Sequence, residues 1–157
     1  MSRMRAGDIA PDFDLPTQDG TRLTLSKALE DGPVVLFFYP RAMTPGCTKE
    51  SCHFRDLAAE FAEAGAQRVG ISVDKVDRQQ QFAEKHGFDF PLLSDPDRTV
   101  AKAYGVKRPG PLMNARATFV IGQDGRVIEV IKSEVNMDSH ADKALSALAE
   151  HTAGAGR

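Results

Sequence analysis

The sequence is short of the residues that most often betray a function. It has two cysteines and no tryptophan in 157 residues. Two cysteines cannot build the bridge framework that staples small secreted domains, so the thiols are expected to serve chemistry, in a reducing cytosol. Neither sign of charge dominates: 20 Lys and Arg stand against 22 Asp and Glu, a net charge of −2. With no basic stripe, nucleic acid and anionic membrane surfaces are not expected as partners. No apolar run approaches the ~20 residues of a membrane-spanning helix. The opening Met1-Ser2-Arg3-Met4-Arg5-Ala6-Gly7-Asp8 lacks the apolar segment of a secretory signal. Glycine-rich phosphate loops, nucleotide fingerprints and Ser/His/Asp orders are missing as well. The rest is ordinary globular composition, 41% hydrophobic and 27% charged. The length suits one domain over 1–157 with a core of its own and a flexible tail from about 153.

The hydrophobic pattern predicts an α/β fold. Segments 12–15 and 21–25 alternate around Asp19-Gly20 and read as an N-terminal β-hairpin. Ser26 reads as the cap of a short helix ending near Asp31-Gly32. A buried strand over 33–39 follows, then a helix over 45–64 with Phe54, Leu57, Ala58 and Phe61 at helical spacing and Gly65 as its stop. A second core strand covers 67–73. Asp74 reads as the cap of a helix ending at His86-Gly87. A short strand over 90–93 precedes a helix opened by Asp95-Pro96 and running through Tyr104. Segments 116–121 and 127–131 flank Asp124-Gly125 as an antiparallel hairpin, and a helix over 139–151 closes the chain. Parallel strands joined by crossover helices, then a hairpin, give a thioredoxin-like mixed β-sheet with helices on both faces.

Both cysteines lie in Tyr39-Pro40-Arg41-Ala42-Met43-Thr44-Pro45-Gly46-Cys47-Thr48-Lys49-Glu50-Ser51-Cys52, directly after the first core strand. Thr44 suits a helix cap and Pro45 the first helical position. Cys47 then falls in the first turn, where free backbone N–H groups and the helix dipole favour a thiolate. A strand that hands a thiol to a helix N-terminus makes a reactive cysteine, whereas an isolated cysteine is more often inert packing. Five helical residues separate Cys47 from Cys52, placing their Cα atoms about 8.6 Å apart. A disulfide needs less than ~7 Å, so a bond between them requires the helix to open. A Cys-x-x-Cys pair closes with little movement, and its absence argues against a thiol–disulfide oxidoreductase. A low-pKa thiolate that meets an oxidant becomes a sulfenic acid, which a second thiol condenses to a disulfide. Such a site needs donors aimed at the oxygen leaving with negative charge, and arginine is suited to that task.

The pattern Pro40-x-x-x-Thr44-x-x-Cys47 resembles the peroxiredoxin active-site motif. Thr44-Pro45-Gly46-Cys47-Thr48-x-Glu50-x-Cys52 is similar to the bacterioferritin-comigratory, or Q-type, branch, as are Gly7-Asp8-x-Ala10-Pro11-Asp12-Phe13-x-Leu15 and Arg116-x-Thr118-Phe119-Val120-Ile121. The resemblance implies a cofactor-independent thiol peroxidase acting on hydrogen peroxide and organic hydroperoxides. Cys47 matches the peroxidatic cysteine and Cys52 the resolving one. Thr44 matches the residue that hydrogen-bonds peroxide and thiolate, and Arg116 the distant arginine that supports both. Pro40 matches a shielding proline that, with Gly46, lines the substrate site. Glu50 takes a supporting or salt-bridge role. The implied reductant is a thioredoxin or similar dithiol protein. The intramolecular disulfide needs no second subunit, so a monomer is expected.

The chain departs from the branch at Arg41-Ala42-Met43, where relatives often carry a polar, acidic pair. A more apolar entrance tilted towards organic hydroperoxides is one reading, and a neutral surface change is the other. Cys47, Cys52 and His53 do not match a zinc spacing, and no fourth ligand is evident. His86 suits the C-terminus of its helix, His140 and His151 read as surface residues, and Lys107-Arg108 as solvated loop. A redox sensor that opens its helix to recruit a partner remains the rival of a different class.

Overall fold

The computed structural model describes residues 4–109 and 113–155. Among the described residues seven strands and six α-helices follow one another in the order β1 (Asp14–Pro16), β2 (Arg22–Thr24), α1 (Leu25–Ala28), β3 (Val34–Phe38), α2 (Pro45–Asp56), α3 (Ala58–Glu63), β4 (Gln67–Ser72), α4 (Val76–His86), β5 (Leu92–Ser94), α5 (Thr99–Ala103), β6 (Ala117–Ile121), β7 (Val127–Lys132) and α6 (Asp138–Ala155). β1 and β2 form the antiparallel N-terminal hairpin. The other five strands form one mixed sheet in the order β5-β4-β3-β6-β7. β3 runs parallel to β4 and antiparallel to β6. The thioredoxin-like architecture read from the sequence is therefore present. Among the described residues no helix is long and apolar enough to cross a membrane.

β3 shows why its sequence is apolar throughout rather than alternating. Val34, Leu36 and Phe38 enter one core with Phe13, Leu25, Val100 and Tyr104, from the hairpin side and α5. Val35 and Phe37 enter the other with Phe54, Phe61, Phe82, Ala144 and Leu148, from α2, α3, α4 and α6. A central strand covered on both faces has no solvent side for polar residues. Phe37 stacks on Phe54 with ring centroids 4.1 Å apart, which fastens the far half of α2 to the sheet.

Several boundaries differ from the sequence reading, each for a visible reason. The single helix over 45–64 is two, because the Arg68 guanidinium donates to Phe54 O and takes that carbonyl from the helical ladder just before Leu57. Asp74 does not cap α4, where Lys75 holds the N-cap position. Its carboxylate instead accepts from Ala42 N and Ser72 Oγ, both at 2.6 Å. Ser26 lies inside α1, and its N–H donates to Asp12 Oδ1. The helix expected from Asp95-Pro96 starts later, at Thr99, and the Asp95 carboxylate reaches across to accept from Val100 N and Ala101 N. α6 extends to Ala155, into the segment read as a tail, while 156–157 lie outside the described residues.

Topology fixes what meets at the C-terminal end of β3. The antiparallel register sets Phe38 opposite Ala117, so β3 ends where β6 begins. The loop that leaves β3 towards α2 therefore passes the residue immediately before β6, which is Arg116.

Candidate active site

Pro45 occupies the first turn of α2 and Thr44 its N-cap position, as the sequence reads. The Thr44 hydroxyl does not cap the helix, however: it donates to Arg41 O at 2.9 Å and closes the turn before it. Met43 in that turn is held at φ 67°, a left-handed conformation that side chains avoid. The Ala42 N–H bond to Asp74 fixes the turn from the other side. Of Arg41-Ala42-Met43, only Arg41 is exposed; Ala42 is buried in the core, and Met43 is half-buried against it. The apolar residues of this segment are therefore turned largely into the core.

Cys47 is the third residue of α2 and fully buried. Arg116, itself 6% exposed, donates from Nη2 to Cys47 Sγ at 3.4 Å and from Nη1 to Glu50 Oε1 at 2.7 Å. One guanidinium fork thus joins the sulfur to a carboxyl one helical turn further on, the spacing that puts two side chains on one helix face. Burial opposes the charge on Arg116, but Glu50 and Cys47 beside it more than restore it and raise its pKa above the usual arginine value. Burial acts on Glu50 in the same sense as a hydrocarbon solvent and outweighs Arg116, so its carboxyl is pushed up to about 8. Gly46 explains how the guanidinium comes so close. A Cβ at Gly46 would lie 3.2 Å from Arg116 Nη2 and 3.6 Å from the Met137 thioether. Pro40 is half-buried on the same loop.

Cys52 is half-buried, and both cysteines are free thiols. Burial raises the Cys52 thiol, with Arg55 partly opposing and Asp56 adding to the effect. α2 is unbroken between the two cysteines, so the helical separation holds. Beyond Cys52 the helix is tied down. His53 Nε2 meets Asp142 Oδ1 of α6 at 2.8 Å, and Arg55 Nη1 donates to His86 O at 2.6 Å.

The sequence reading missed part of this site. His140 is not a surface residue: it is fully buried, with Nδ1 2.7 Å from Thr118 Oγ1 and 3.5 Å from Glu50 Oε2. Glu134 accepts from Arg116 N through Oε2 and pairs with Arg108 through Oε1, so Arg108 is tied to the site rather than freely solvated. No motif announces His140, Glu134 or Arg108, and only the folded sheet brings them together. His151 is exposed, as read. A cavity of about 730 Å³ between the β1–β2 turn and the end of α4 is lined by Gln18, Glu84 and Phe88 and by none of the residues above. Chemistry rather than concavity marks the site.

Comparison with known proteins places the chain among peroxiredoxins. The AhpC/TSA family matches residues 6–130. A Mycobacterium tuberculosis protein bearing the name peroxiredoxin is 62% identical over 148 residues, covering 92% of this chain and 96% of its own length. The crystal structure of peroxidoxin BcpB from Mycobacterium tuberculosis superposes with a TM-score of 0.91 at 59% identity, covering 94% of this chain and 98% of that one. The bacterioferritin comigratory protein of Xanthomonas campestris, solved to account for its alkyl peroxide reduction activity, gives a TM-score of 0.82 at 35% identity, covering 88% and 91%. The chain belongs to the AhpC/TSA family, as a peroxiredoxin of the bacterioferritin-comigratory or Q type.

Proposed function

We propose that this peroxiredoxin reduces hydrogen peroxide and organic hydroperoxides through Cys47, with Cys52 as the resolving thiol and a thioredoxin-like dithiol protein as reductant. The observation that carries the reading is the Arg116 fork on Cys47 Sγ and Glu50 at the N-terminus of α2. The Cys47 thiolate attacks one oxygen of the peroxide, the S–O bond forms as the O–O bond breaks, and Cys47 becomes a sulfenic acid. The other oxygen departs as hydroxide or alkoxide and takes a proton to give water or an alcohol. Arg116 is placed to hold that oxygen as its charge develops. The Xanthomonas relative, with its alkyl peroxide reduction activity, supports inclusion of organic hydroperoxides.

Cys52 then attacks the sulfenic sulfur, forming the Cys47–Cys52 disulfide and releasing water. Its raised pKa suits a thiol that waits its turn. Closing the bond requires α2 to open between the two cysteines. The Phe37–Phe54 stack and the His53–Asp142 pair hold the helix beyond Cys52, which confines the opening to its first turns. Thiol–disulfide exchange with the reductant restores both thiols. No step calls for a second subunit or a cofactor, so we assign a monomer in a reducing cytosol, serving antioxidant defence.

Intact mass after one equivalent of hydrogen peroxide tests the sequence of steps. Wild type is expected to lose two hydrogens, and Cys52→Ser to gain one oxygen, with a second added only when further peroxide is supplied. A wild-type protein that keeps its mass while the peroxide persists would sink the reading. A Cys52→Ser protein that still cycles with thioredoxin would remove Cys52 from its role.

Gly46→Ala probes the fork more gently. The new methyl lies 3.2 Å from Arg116 Nη2 and moves it by a few tenths of an ångström away from its place. Alanine is the better helix former by about 1 kcal/mol, so stability is expected to hold within about 1 kcal/mol. The second-order rate with peroxide is expected to fall by about tenfold, since a displacement near 1 Å costs about 10²-fold. Stopped-flow kinetics beside a urea midpoint would separate the two effects.

A further inference from the structure

The two oxygens of Glu50 keep different company. Oε1 accepts from Arg116 Nη1, while Oε2 is buried with no hydrogen-bond partner. Oε2 instead lies 3.5 Å from His140 Nδ1, and both residues are fully buried. The hydrogens on His140 follow from its partners. Its Nε2 is 2.8 Å from Ser133 O, a carbonyl that only accepts, so Nε2 bears a hydrogen. A second hydrogen on Nδ1 would make the ring a buried cation, which burial opposes most and Arg116 and Lys143 further, outweighing the Ser133 carbonyl and Glu134, so that the pKa lies below the usual histidine value. His140 is therefore neutral, and Nδ1 turns a lone pair towards the Thr118 hydroxyl and Glu50 Oε2. A bare carboxylate oxygen facing that lone pair, out of water and without a donor, is costly. A hydrogen on Oε2 removes the conflict.

We propose that Glu50 works as a neutral carboxylic acid whose proton sits on Oε2 facing His140 Nδ1, so that Oε1 orients Arg116 without taking its charge. His140 and Thr118 are then positioning residues behind the catalytic arginine. The inference rests on the peroxidase reading and says how that site is tuned. An ionised Glu50 at 2.7 Å would compete with the sulfur and the peroxide oxygen for the guanidinium. A neutral one keeps the fork aligned and leaves the charge to them.

The surrounding groups fit this state. Arg116 reaches Glu50 from the start of β6 and His140 from α6, while Cys47 shares the fork from α2 itself. Glu134, on the β7–α6 connection, holds Arg116 N and acts on Glu50 through its charge alone. Lys143 adds positive charge near His140. Burial is the largest influence on Glu50, Arg116 opposes it and Glu134 adds to it, which leaves the carboxyl protonated at pH 7 and ionising near 8.

Three measurements test this. The second-order rate of the wild type with hydrogen peroxide is expected to fall about tenfold between pH 7 and pH 9, as the neutral fraction of a group titrating near 8 falls by that factor. The profile of Glu50→Gln is expected to lack that alkaline limb, whatever its absolute rate. Infrared difference spectra of the wild type are expected to show a carboxylic-acid C=O band at pH 7 that shifts in D₂O, disappears at alkaline pH and is absent from Glu50→Gln. Ring ¹⁵N shifts should give His140 as the neutral Nε2–H tautomer. An alkaline limb that survives in Glu50→Gln, a missing acid band at pH 7, or an imidazolium at position 140 would each overturn the proposal. A wild type that reduces no peroxide at any pH would instead defeat the peroxidase reading, and the infrared band would still decide the state of Glu50.

Discussion

Cys47→Ser is expected to reduce hydrogen peroxide at least about 10⁴-fold more slowly than the wild type, because a hydroxyl is almost never ionised at neutral pH and the substitution removes the attacking atom itself. The prediction is sharp because the rest of the site survives. Thr44, Pro45 and Gly46 still start α2, and the Arg116 fork still reaches Glu50. Serine is slightly smaller than cysteine, and its hydroxyl finds a ready donor in Arg116 Nη2, which now meets Cys47 Sγ. Stability is therefore expected to change by only about 1 kcal/mol. Peroxide loss followed beside a urea midpoint gives both values. Cys52→Ser makes the informative contrast: it should keep the first, stoichiometric oxidation and lose only the recycling. If Cys47→Ser retained more than a few per cent of the rate, the nucleophile would have to be sought elsewhere, and the chain has only one other cysteine.

How much of this was readable from the sequence depends on the distance over which each interaction acts. The strand-to-helix junction was legible because its chemistry is local: an apolar run, then Thr44-Pro45-Gly46-Cys47 in four consecutive positions. The N-terminal hairpin, the β6–β7 hairpin and the sheet were legible for the same reason, through alternation and turn residues. Arg116 is different. It lies 69 positions from Cys47, and only the Phe38–Ala117 register of an antiparallel pair brings it back. Resemblance to a family pointed to it; spacing could not. Thr118 stood in the same family-like segment with no role attached, and His140 carried no signal at all. A histidine in the first turn of an amphipathic helix reads as surface, and its burial follows from how α6 lies against β6 and α2. The helix boundaries that failed did so through side chains that act across elements. Arg68 on β4 interrupts the ladder at Phe54, and Asp74 holds Ala42 instead of capping α4. Residue propensities see none of these contacts because each partner lies in another element.

Arg116→Met carries the second large effect, and its two parts test the charge state of the site from opposite directions. Loss of the donor that faces the departing oxygen is expected to slow peroxide reduction by about 10²–10³-fold at pH 7. The stability change is the less obvious part. Arg116 is buried beside Glu50 at 2.7 Å, and removing one partner of a buried ion pair costs about 3–5 kcal/mol when it strands a charge. A Glu50 that is already neutral strands none, so the loss at pH 7 is expected to be only about 1–2 kcal/mol, the worth of the hydrogen bonds and packing. Raising the pH should then separate the two proteins. Unfolded Glu50 ionises near its ordinary 4.5, whereas folded wild-type Glu50 ionises near 8. Its contribution to stability is thus full below the lower value and declines through the interval as pH rises. In the wild type the decline stops above about 8, where the folded carboxylate forms against Arg116. In Arg116→Met the folded carboxyl stays protonated to higher pH, because the group that lowered its pKa has gone. The gap between the two proteins should therefore widen above pH 8 by about 1.4 kcal/mol per pH unit. Urea midpoints at pH 7 and pH 9 would measure it. A loss of 3–5 kcal/mol already present at pH 7 would show that Glu50 is a carboxylate there and that Arg116 neutralises it, leaving the neutral-acid account of the fork without support.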